Sequence, residues 1–322
     1  MTKIETEAGK VRIGIARCLL GENVRYDGSH KLDRYLRDVL GQFVEWVPVC
    51  PETECGMGIP REAVRLVGEL ENPRLVGRNS GEDWTGRMQE WGRKKLAALD
   101  KENLSGYIFK HGSPSNALGR MKVFGDDGKI FYSGTGIWAR MVMDHFPSLP
   151  CEDDGRLHDA GIRENFINRI FTFKRWRDVA DDGLSPAKLV DFHTRHKMLI
   201  MVHNEVIYRE MGRLVSTAGS ADPSSLSKEY AAMLFKALTY RPTVKKHVNV
   251  LTHVLGHFKK DLSPDEKQEM LKLIDQFHKN LIPLIVPVTM LNHYVRKYGK
   301  TYLEQQFYLN PYPAELMLRN HV

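Results

Sequence analysis

Apolar residues in the first third of the chain occur in short runs that are rich in β-branched and aromatic side chains. Three of these runs, RIGIAR at 12–17, FVEWVPV at 43–49 and SGYIFK at 105–110, predict β-strands. Helical patterns at about 31–40 and 84–100 lie between them. Because strands that alternate with helices are typical of a parallel sheet covered by helices, this region predicts an α/β, Rossmann-like fold.

The pattern changes after an acidic segment with two prolines, PSLPCEDDGR at 147–156. From about residue 160 onward, apolar residues such as Phe166 and Ile170 recur at helical spacing, which predicts an all-α region. We therefore expect an α/β domain over residues 1–157 and an all-helical domain over 158–322.

Composition supports two globular domains. The chain has 322 residues, of which 42% are hydrophobic and 27% charged, enough apolar material to form real cores. The first residues, MTKIETEAGKVR, lack the apolar centre of a signal peptide, and no run approaches the roughly 18 apolar residues that a membrane span needs. We expect a cytoplasmic protein with no membrane partner.

The net charge of +7 is concentrated in the second half. Residues 158–322 contain 24 Lys and Arg against 17 Asp and Glu, whereas the first 157 residues are balanced. A basic domain suggests a polyanionic partner such as tRNA or another nucleic acid, since Lys and Arg neutralise phosphates. A merely solvated basic surface is the alternative.

Polar loops follow each predicted strand, at the edge of the sheet where α/β proteins bind ligands. Cys18 ends the first strand, Cys50 ends the second, and Cys55 lies five residues farther along. If the two strands are neighbours, the three thiols converge, and their spacing suits an iron–sulfur cluster that keeps one iron open. The alternative is that buried cysteines simply pack as small hydrophobic residues.

Three long motifs resemble the signature loops of the thiouracil desulfurase family: IARCLLGENVRYDG at 15–28, VPVCPETECGMGIPRE at 47–62 and SPSNALGRMKVF at 113–124. The helical region, with ENFINRIF at 164–171 and PYPAELMLRN at 311–320, resembles the partner domain of YbgA-like fusion proteins. The resemblance implies a [4Fe-4S]-dependent enzyme that removes sulfur from a thiolated pyrimidine such as 2-thiouracil.

The third loop departs from the family pattern. Members usually read SPSCG, with the cysteine as a cluster ligand, whereas this chain has Asn116 at that position. The resemblance therefore implies ligation by Cys18, Cys50 and a relocated third ligand, Cys55. A protein without a cluster and a different metal remain the alternatives, and Cys151 matches no ligand position.

Acid–base candidates lie in the same loops. Glu52 and Glu54 flank the cysteine turn, and either can relay a proton when water attacks the thiolated carbon. Ser113 and Ser115 can bind a pyrimidine carbonyl or assist the transfer; the alternative is a simple turn around Pro114.

Two other patterns carry weaker hypotheses. The segment GTGIWA at 134–139 fits a loose dinucleotide motif but lacks the following strand, so a glycine turn before a helix is the better interpretation. Histidines in the helical region form two sets that could bind a metal or phosphate, although ordinary packing is the simpler explanation; they are His193, His196 and His203, and then His253 and His257.

Two functions follow as hypotheses. The leading one is an iron–sulfur desulfurase of a thionucleobase. The rival is a nucleic-acid-binding or regulatory protein whose α/β domain has degenerated, and Asn116 is the feature that favours it. A third possibility joins them, with the helical domain presenting thiolated tRNA to the first domain.

Overall fold

A computed structural model describes residues 10–125 and 127–320. Most of the N-terminal segment MTKIETEAGKVR, on which the signal-peptide expectation rests, lies outside the described part. The chain divides into two compact units, one ending at His158 and the other beginning at Asp159. We describe each unit by itself.

The first unit contains two four-stranded sheets. Its strands are β1 Val11–Ala16, β2 Val44–Val49, β3 Val64–Gly68, β4 Pro73–Gly77, β5 Gly106–Phe109, β6 Met121–Phe124, β7 Ile130–Gly134 and β8 Cys151–Asp153. Sheet A has the order β2-β1-β5-β8, and all of its pairings are parallel. The predicted parallel sheet is confirmed, and its first two strands are neighbours.

Sheet B was not expected from the sequence. It has the order β4-β3-β6-β7, with antiparallel hairpins on either side of one parallel pairing. The acidic segment 147–156, after which the sequence pattern changes, also contains strand β8, whose Cys151 pairs with Tyr107 in sheet A. Three residues are too few to show a strand periodicity, so the sequence did not predict this strand.

Helices α1 Pro51–Glu54, α2 Thr85–Leu99 and α3 Ile137–His145 connect the strands. The helix expected at 31–40 is instead one wide π-type turn over Tyr35–Val39 followed by a 3₁₀ turn. Gly41 follows at once, and its low helix propensity is consistent with so short an element.

The core of sheet A depends on one close approach between neighbouring strands. A Cβ atom on Gly14 of β1 would lie 2.2 Å from the Tyr107 ring of β5, so only glycine leaves room for that ring. Tyr107 is fully buried, and its hydroxyl accepts a 2.9 Å hydrogen bond from Nε1 of Trp138 in α3. This contact ties the helix to the sheet directly behind the third loop.

The second unit is helical. Its helices are α4 Ala160–Asp181, α5 Pro186–His203, α6 Glu205–Ser216, α7 Pro223–Thr239, α8 Val244–Gly256, α9 Pro264–His278, α10 Ile285–Lys297 and α11 Thr301–Glu304. Helices α4 to α9 each begin with a polar side chain that accepts a hydrogen bond from the first turn: Asp159, Ser185, Asn204, Asp222, Thr243 and Ser263. The expected all-α architecture is confirmed.

The described helices include none that is both long and apolar enough to cross a bilayer. The apolar faces of the second unit instead pack together in two large clusters, one around Phe258 and Leu291 and one around Tyr230 and Leu234. These clusters account for the helical periodicity seen in the sequence.

Candidate active site

A cavity of about 420 Å³ opens in the first unit where parallel strands of sheet A end. Residues directly after β1, β2 and β5 line it, and part of sheet B forms another wall. Strands β2 and β5 lie on opposite sides of β1, so the order in which the chain adds strands to the sheet reverses at β1. Such a switch point opens a crevice at the carboxyl ends of the strands. The volume is in the range of small-molecule sites.

A carboxylate and two hydroxyl groups form a hydrogen-bonded network at this cavity. Ser115 Oγ donates to Glu52 Oε1 at 2.7 Å, Ser113 Oγ donates to the same oxygen at 3.2 Å, and the two hydroxyls are 3.0 Å apart. Glu52 and Ser113 line the cavity, whereas Ser115 is fully buried behind it. The structure thus brings together three of the four residues expected to act in proton transfer.

Glu54 has different surroundings. Its Oε1 accepts a 2.9 Å hydrogen bond from the Cys50 backbone N–H, and its Oε2 lies 3.0 Å from Nζ of Lys95 in α2. It is not among the residues that line the cavity. Its contacts stabilise the start of α1 and join that helix to α2.

The second oxygen of Glu52 is held by Arg61, which the sequence did not single out. The Arg61 guanidinium pairs with Glu52 Oε2 and also donates to the carbonyl oxygens of Val24 at 3.1 Å and Gly58 at 3.1 Å. Both side chains of the pair are largely buried. Arg61 therefore connects the first loop to the second and orients the carboxylate.

Two thiols face the cavity. Cys18 and Cys50 both line it, and both residues are buried. Burial raises the pKa of the Cys18 thiol to about 12, although nearby Lys110 lowers it in part. Burial likewise raises the pKa of Cys50. Without a bound cation, these thiols are protonated near neutral pH and are poor nucleophiles.

Cys55 does not line the cavity with them. Its Sγ lies 3.3 Å from the Glu52 carbonyl oxygen, and the side chain packs against the apolar cluster that includes Met57 and Leu66. Burial raises its pKa to about 11. Its role as the third ligand stays a prediction, and its thiol is turned toward different neighbours from those of Cys18 and Cys50.

The third loop is held in place by the start of α3. Ser115 O accepts a 2.9 Å hydrogen bond from the Trp138 N–H, and Gly136 N–H donates to Ala117 O at 2.8 Å. A Cβ atom on Gly136 would lie 2.5 Å from the Ser115 carbonyl group. The glycine motif at 134–139 therefore packs against the third loop and fixes the Asn116 backbone at the cavity wall.

The cavity is strongly cationic. Seven Arg and Lys side chains line it, against the single carboxylate of Glu52: Arg17, Arg25, Arg61, Arg65, Arg78, Lys110 and Lys122. Four of them are paired with acidic side chains. The other three, which we call the rim cations, are Arg65, Arg78 and Lys122; they are exposed and have no carboxylate within 4 Å in the described part of the chain.

The rim cations lie in sheet B or directly after one of its strands. The sequence patterns did not predict this sheet. Arg65 lies in β3, Lys122 in β6, and Arg78 follows β4 directly. A single basic residue in a short strand of mixed burial gives no distinctive sequence signal. Only the register of the sheet shows that they meet at one cavity.

The cavity wall includes two cysteines and one amide residue that bear on a metal–sulfur group. Cys18 and Cys50 supply the thiols, and Asn116 supplies a buried amide oxygen that has no hydrogen-bond partner among residues 10–125 and 127–320. No set of three or more His, Cys, Asp or Glu side chains in those ranges is arranged as a metal site. Ligation of a cluster by Cys18, Cys50 and Cys55 stays a prediction.

The histidines of α5 have packing roles. His193 Nδ1 is 3.1 Å from the Tyr230 hydroxyl, His196 Nδ1 is 2.8 Å from Phe192 O, and His203 Nδ1 is 2.7 Å from Tyr240 O. Burial lowers the pKa of all three, to about 4 for His193 and His203. They are therefore neutral hydrogen-bonding groups of the core.

Comparison with protein families gives one match within each of the two units. Residues 13–154 match the sequence profile of the family described as 2-thiouracil desulfurase. Residues 197–313 match that of a protein family of unknown function, DUF1722.

Individual relatives match one half each. The uncharacterized protein YbgA of Escherichia coli K12 is 28% identical over 158 residues, which is 49% of this chain and 94% of the relative. The uncharacterized protein YbbK of Bacillus subtilis 168 is 32% identical over 133 residues, 40% of this chain and 87% of the relative.

One solved structure is also similar, that of a [4Fe-4S]-dependent thiouracil desulfidase, TudS. It is 27% identical with a TM-score of 0.38, and the match covers 47% of this chain and 95% of that one.

Proposed function

Because this chain belongs through residues 13–154 to the 2-thiouracil desulfurase family, we propose that it removes sulfur from a thiolated pyrimidine that carries a phosphate group. The observation that carries the proposal is one cavity in which a hydroxyl–carboxylate pair, two thiols and three rim cations without carboxylate partners meet. The hydroxyl–carboxylate pair supplies proton transfer, the thiols bind sulfur or a thiophilic metal, and the rim cations bind an anion.

The reaction is a hydrolysis without net redox change. Water adds to the thiocarbonyl carbon, the carbon–sulfur bond breaks, and a carbonyl group and hydrogen sulfide result. The attacking water must lose a proton, and the sulfur must leave with protons or on a metal. A positioned carboxylate that accepts this proton typically contributes about 10²–10⁴-fold to the rate.

Glu52 is the base in this proposal. Its Oε1 already accepts hydrogen bonds from both serines, so a proton taken up there remains in a connected network. Ser113, which lines the cavity, is placed to bind the pyrimidine or the attacking water, and the buried Ser115 orients Glu52. Arg61 fixes the other carboxylate oxygen.

An iron–sulfur cluster belongs to the proposal as the cofactor. Cys18 and Cys50 are the thiols that would hold it, and when bound it would supply a thiophilic Lewis acid for the departing sulfur. A coordinating thiol gives up its proton, so ligation must offset the raised pKa values of both thiols.

The rim cations favour a nucleotide or an RNA over a free base. A neutral pyrimidine does not require three unpaired cations, whereas a phosphate accepts charge-assisted hydrogen bonds from Arg and Lys. The basic excess of residues 158–322 is a second, weaker reason to include RNA among the substrates.

The experiment compares three substrates: 2-thiouracil, its nucleoside monophosphate and a thiolated RNA. Sulfide release by the cluster-loaded, full-length protein is measured at increasing salt. We expect Arg78→Ala and Lys122→Ala to raise KM for the phosphorylated substrates on the order of tenfold and to leave 2-thiouracil unaffected. Arg93→Ala, an exposed arginine of α2 outside the cavity, is the matched control.

The outcomes separate the hypotheses. Equal effects of the rim substitutions on the base and on the nucleotide would contradict the phosphate assignment while leaving desulfuration intact. If the loaded protein releases sulfide from none of the three substrates yet binds RNA in a salt-dependent manner, the rival nucleic-acid-binding function becomes the better account.

A further inference from the structure

Tyr26 is an exposed aromatic side chain on the wall of the cavity. The residue is 44% exposed, and among the exposed large hydrophobic residues of 10–125 and 127–320 it alone lines the cavity. A single exposed aromatic residue is ordinary elsewhere on a protein surface. At the wall of a cavity of ligand size, however, it offers a flat apolar surface to whatever enters.

The Tyr26 backbone belongs to a tight turn. Gly28 N–H donates to Arg25 O at 3.0 Å, which closes a β-turn with Tyr26 as its second residue. Gly28 has a φ of 74°, which glycine adopts without strain. Asp27 Oδ1 accepts hydrogen bonds from the Ser29 N–H at 3.1 Å and from its hydroxyl at 2.6 Å. The turn therefore fixes where the ring starts from.

This turn is bonded to the arginine that orients the proposed base. Arg61 N–H donates to Tyr26 O at 2.8 Å. The Arg61 guanidinium pairs with Glu52 and also donates to Val24 O at 3.1 Å. The same carbonyl oxygen lies 3.9 Å from Cys50 Sγ. Two residues of chain span at most about 7 Å, so the Tyr26 backbone lies close to both the carboxylate's partner and a cavity thiol.

One face of the Tyr26 ring is already in contact with a cation. Arg25 Cζ lies 5.5 Å from the ring centre, a cation–π distance. No aromatic ring stacks on Tyr26 within residues 10–125 and 127–320. A planar pyrimidine matches such a ring, because two flat rings stack favourably in an offset arrangement. A phosphate gains nothing from this surface.

We propose that Tyr26 stacks on the pyrimidine ring of the substrate and so selects a planar base. The inference rests on the proposed function and adds the group that recognises the ring, which neither the rim cations nor Glu52 supplies. Stacking covers one face of the pyrimidine. Water therefore adds to the thiocarbonyl carbon from the other face, and the ring edge stays open to Ser113.

The test separates recognition of the ring from recognition of the phosphate. Calorimetry measures binding of uridine monophosphate and of ribose phosphate to the full-length protein; neither probe contains sulfur, so neither is turned over. Tyr26→Leu keeps apolar bulk but removes the flat ring. We expect it to weaken binding of uridine monophosphate about tenfold, as loss of one base–aromatic stack does, and to leave ribose phosphate unaffected.

Three further variants serve as controls. Tyr26→Phe and Tyr26→Trp keep a flat ring and should bind uridine monophosphate as the wild type does. Tyr240→Leu is the matched control, since Tyr240 is also 44% exposed but follows α7 and does not line the cavity. Circular dichroism checks that each variant is folded. If Tyr26→Leu is not folded, Tyr26→Ser takes its place with the same expected result.

Nuclear magnetic resonance gives a signature that a purely structural role of Tyr26 would not produce. The ring current of a stacked aromatic side chain moves the base protons of bound uridine monophosphate upfield. We expect this shift with the wild type and with Tyr26→Phe, and we expect it to disappear with Tyr26→Leu. In the cluster-loaded protein, Tyr26→Leu should raise KM for the thiolated nucleotide about tenfold and keep kcat within a few-fold.

Three results would overturn the assignment. They are wild-type affinity of folded Tyr26→Leu for uridine monophosphate, equal losses for uridine monophosphate and ribose phosphate, and a wild type that binds both probes equally well. Sulfide release is scored separately. Nucleotide binding that depends on Tyr26 in a loaded protein that releases no sulfide would contradict the proposed function and leave this inference standing. Sulfide release with an unchanged KM in Tyr26→Leu would contradict this inference alone.

Discussion

Glu52 and Glu54 lie two positions apart on one short helix but have different partners. Glu52 contacts two hydroxyl groups and a guanidinium at the cavity, whereas Glu54 contacts the Cys50 N–H and Lys95. This pair of carboxylates therefore offers a matched comparison between proton transfer and structural support.

We expect Glu52→Gln to lower kcat for sulfide release by about 10²–10⁴-fold, because the amide keeps the shape but cannot accept the proton. Steady-state sulfide release measures this effect, and iron content shows whether the cofactor is retained. Glu54→Gln should keep kcat within a few-fold of the wild type. Equal losses in both variants would contradict the assignment of Glu52 as the base.

The residues of the site were predictable where a strand end fixes them. Cys18, Cys50 and Ser113 each follow a parallel strand closely, and neighbouring strands bring such positions to one edge. Cys55 differs because α1 intervenes. Cys50 is extended and Cys55 follows the helix, so no strand end fixes the position of the Cys55 thiol, and its role as a ligand stays a prediction.

At the scale of elements, the contact between the third loop and α3 fixes the position of the loop that carries site residues. The Gly136 backbone lies against Ser115 and Asn116, and the nearest atoms belong to the main chain, which cannot turn aside. The loop carries both serines of the network as well as the unpaired amide.

Gly136→Ala should destabilise the first unit by about 1–3 kcal/mol, as overpacking of a tight contact does, and should reduce both iron content and sulfide release. Gly86→Ala is the control, since Gly86 lies near the start of α2 and a Cβ there meets nothing within 4 Å. We expect that change to be neutral or stabilising by up to about 1 kcal/mol. Urea unfolding measures the stability of both variants. Equal stability would show that the third loop shifts to accommodate the added methyl group at little cost.

Elements were predictable where the hydrophobic pattern is long and regular. Strands β1, β2 and β5, helix α2 and the helical second unit follow such patterns. Sheet B was missed because its strands have four or five residues with mixed burial, and β7 is almost wholly exposed. Their pairing depends on tertiary contacts that no local pattern encodes.

At the scale of the whole molecule, the two units should respond differently to acid because buried histidines are confined to the second. His193 and His203 have an ordinary pKa of 6.5 that burial lowers to about 4, and burial also lowers the pKa of His196 and His247. Each is neutral in the folded core.

The free energy of unfolding of the helical unit should therefore fall as the pH drops from 6.5 toward 4. In this window the unfolded chain binds protons on these histidines and the folded chain does not, so acid favours unfolding. Each histidine contributes on the order of 1 kcal/mol per pH unit. Above pH 6.5 the contribution is complete, because the side chains are neutral in both states.

Thermal loss of helical circular dichroism in the full-length protein, measured between pH 4 and pH 7, checks this expectation. His203→Gln should give a shallower pH dependence than the wild type, even if the variant is less stable at every pH. An unchanged slope would mean that His203 is not the source of the acid sensitivity.

The hydrogen bonds of Trp138 have a consequence for observing the molecule at work. Its indole is fully buried, its ring nitrogen donates to Tyr107, and its backbone nitrogen donates to the Ser115 carbonyl. A chromophore thus sits directly behind the loop that carries the serines and the amide. Any ligand that displaces this loop changes the polarity around the indole, and a light-absorbing cluster at the cavity quenches its emission. The emission of Trp138, one of five tryptophans in the chain, should therefore change with occupancy of the site, without any added label.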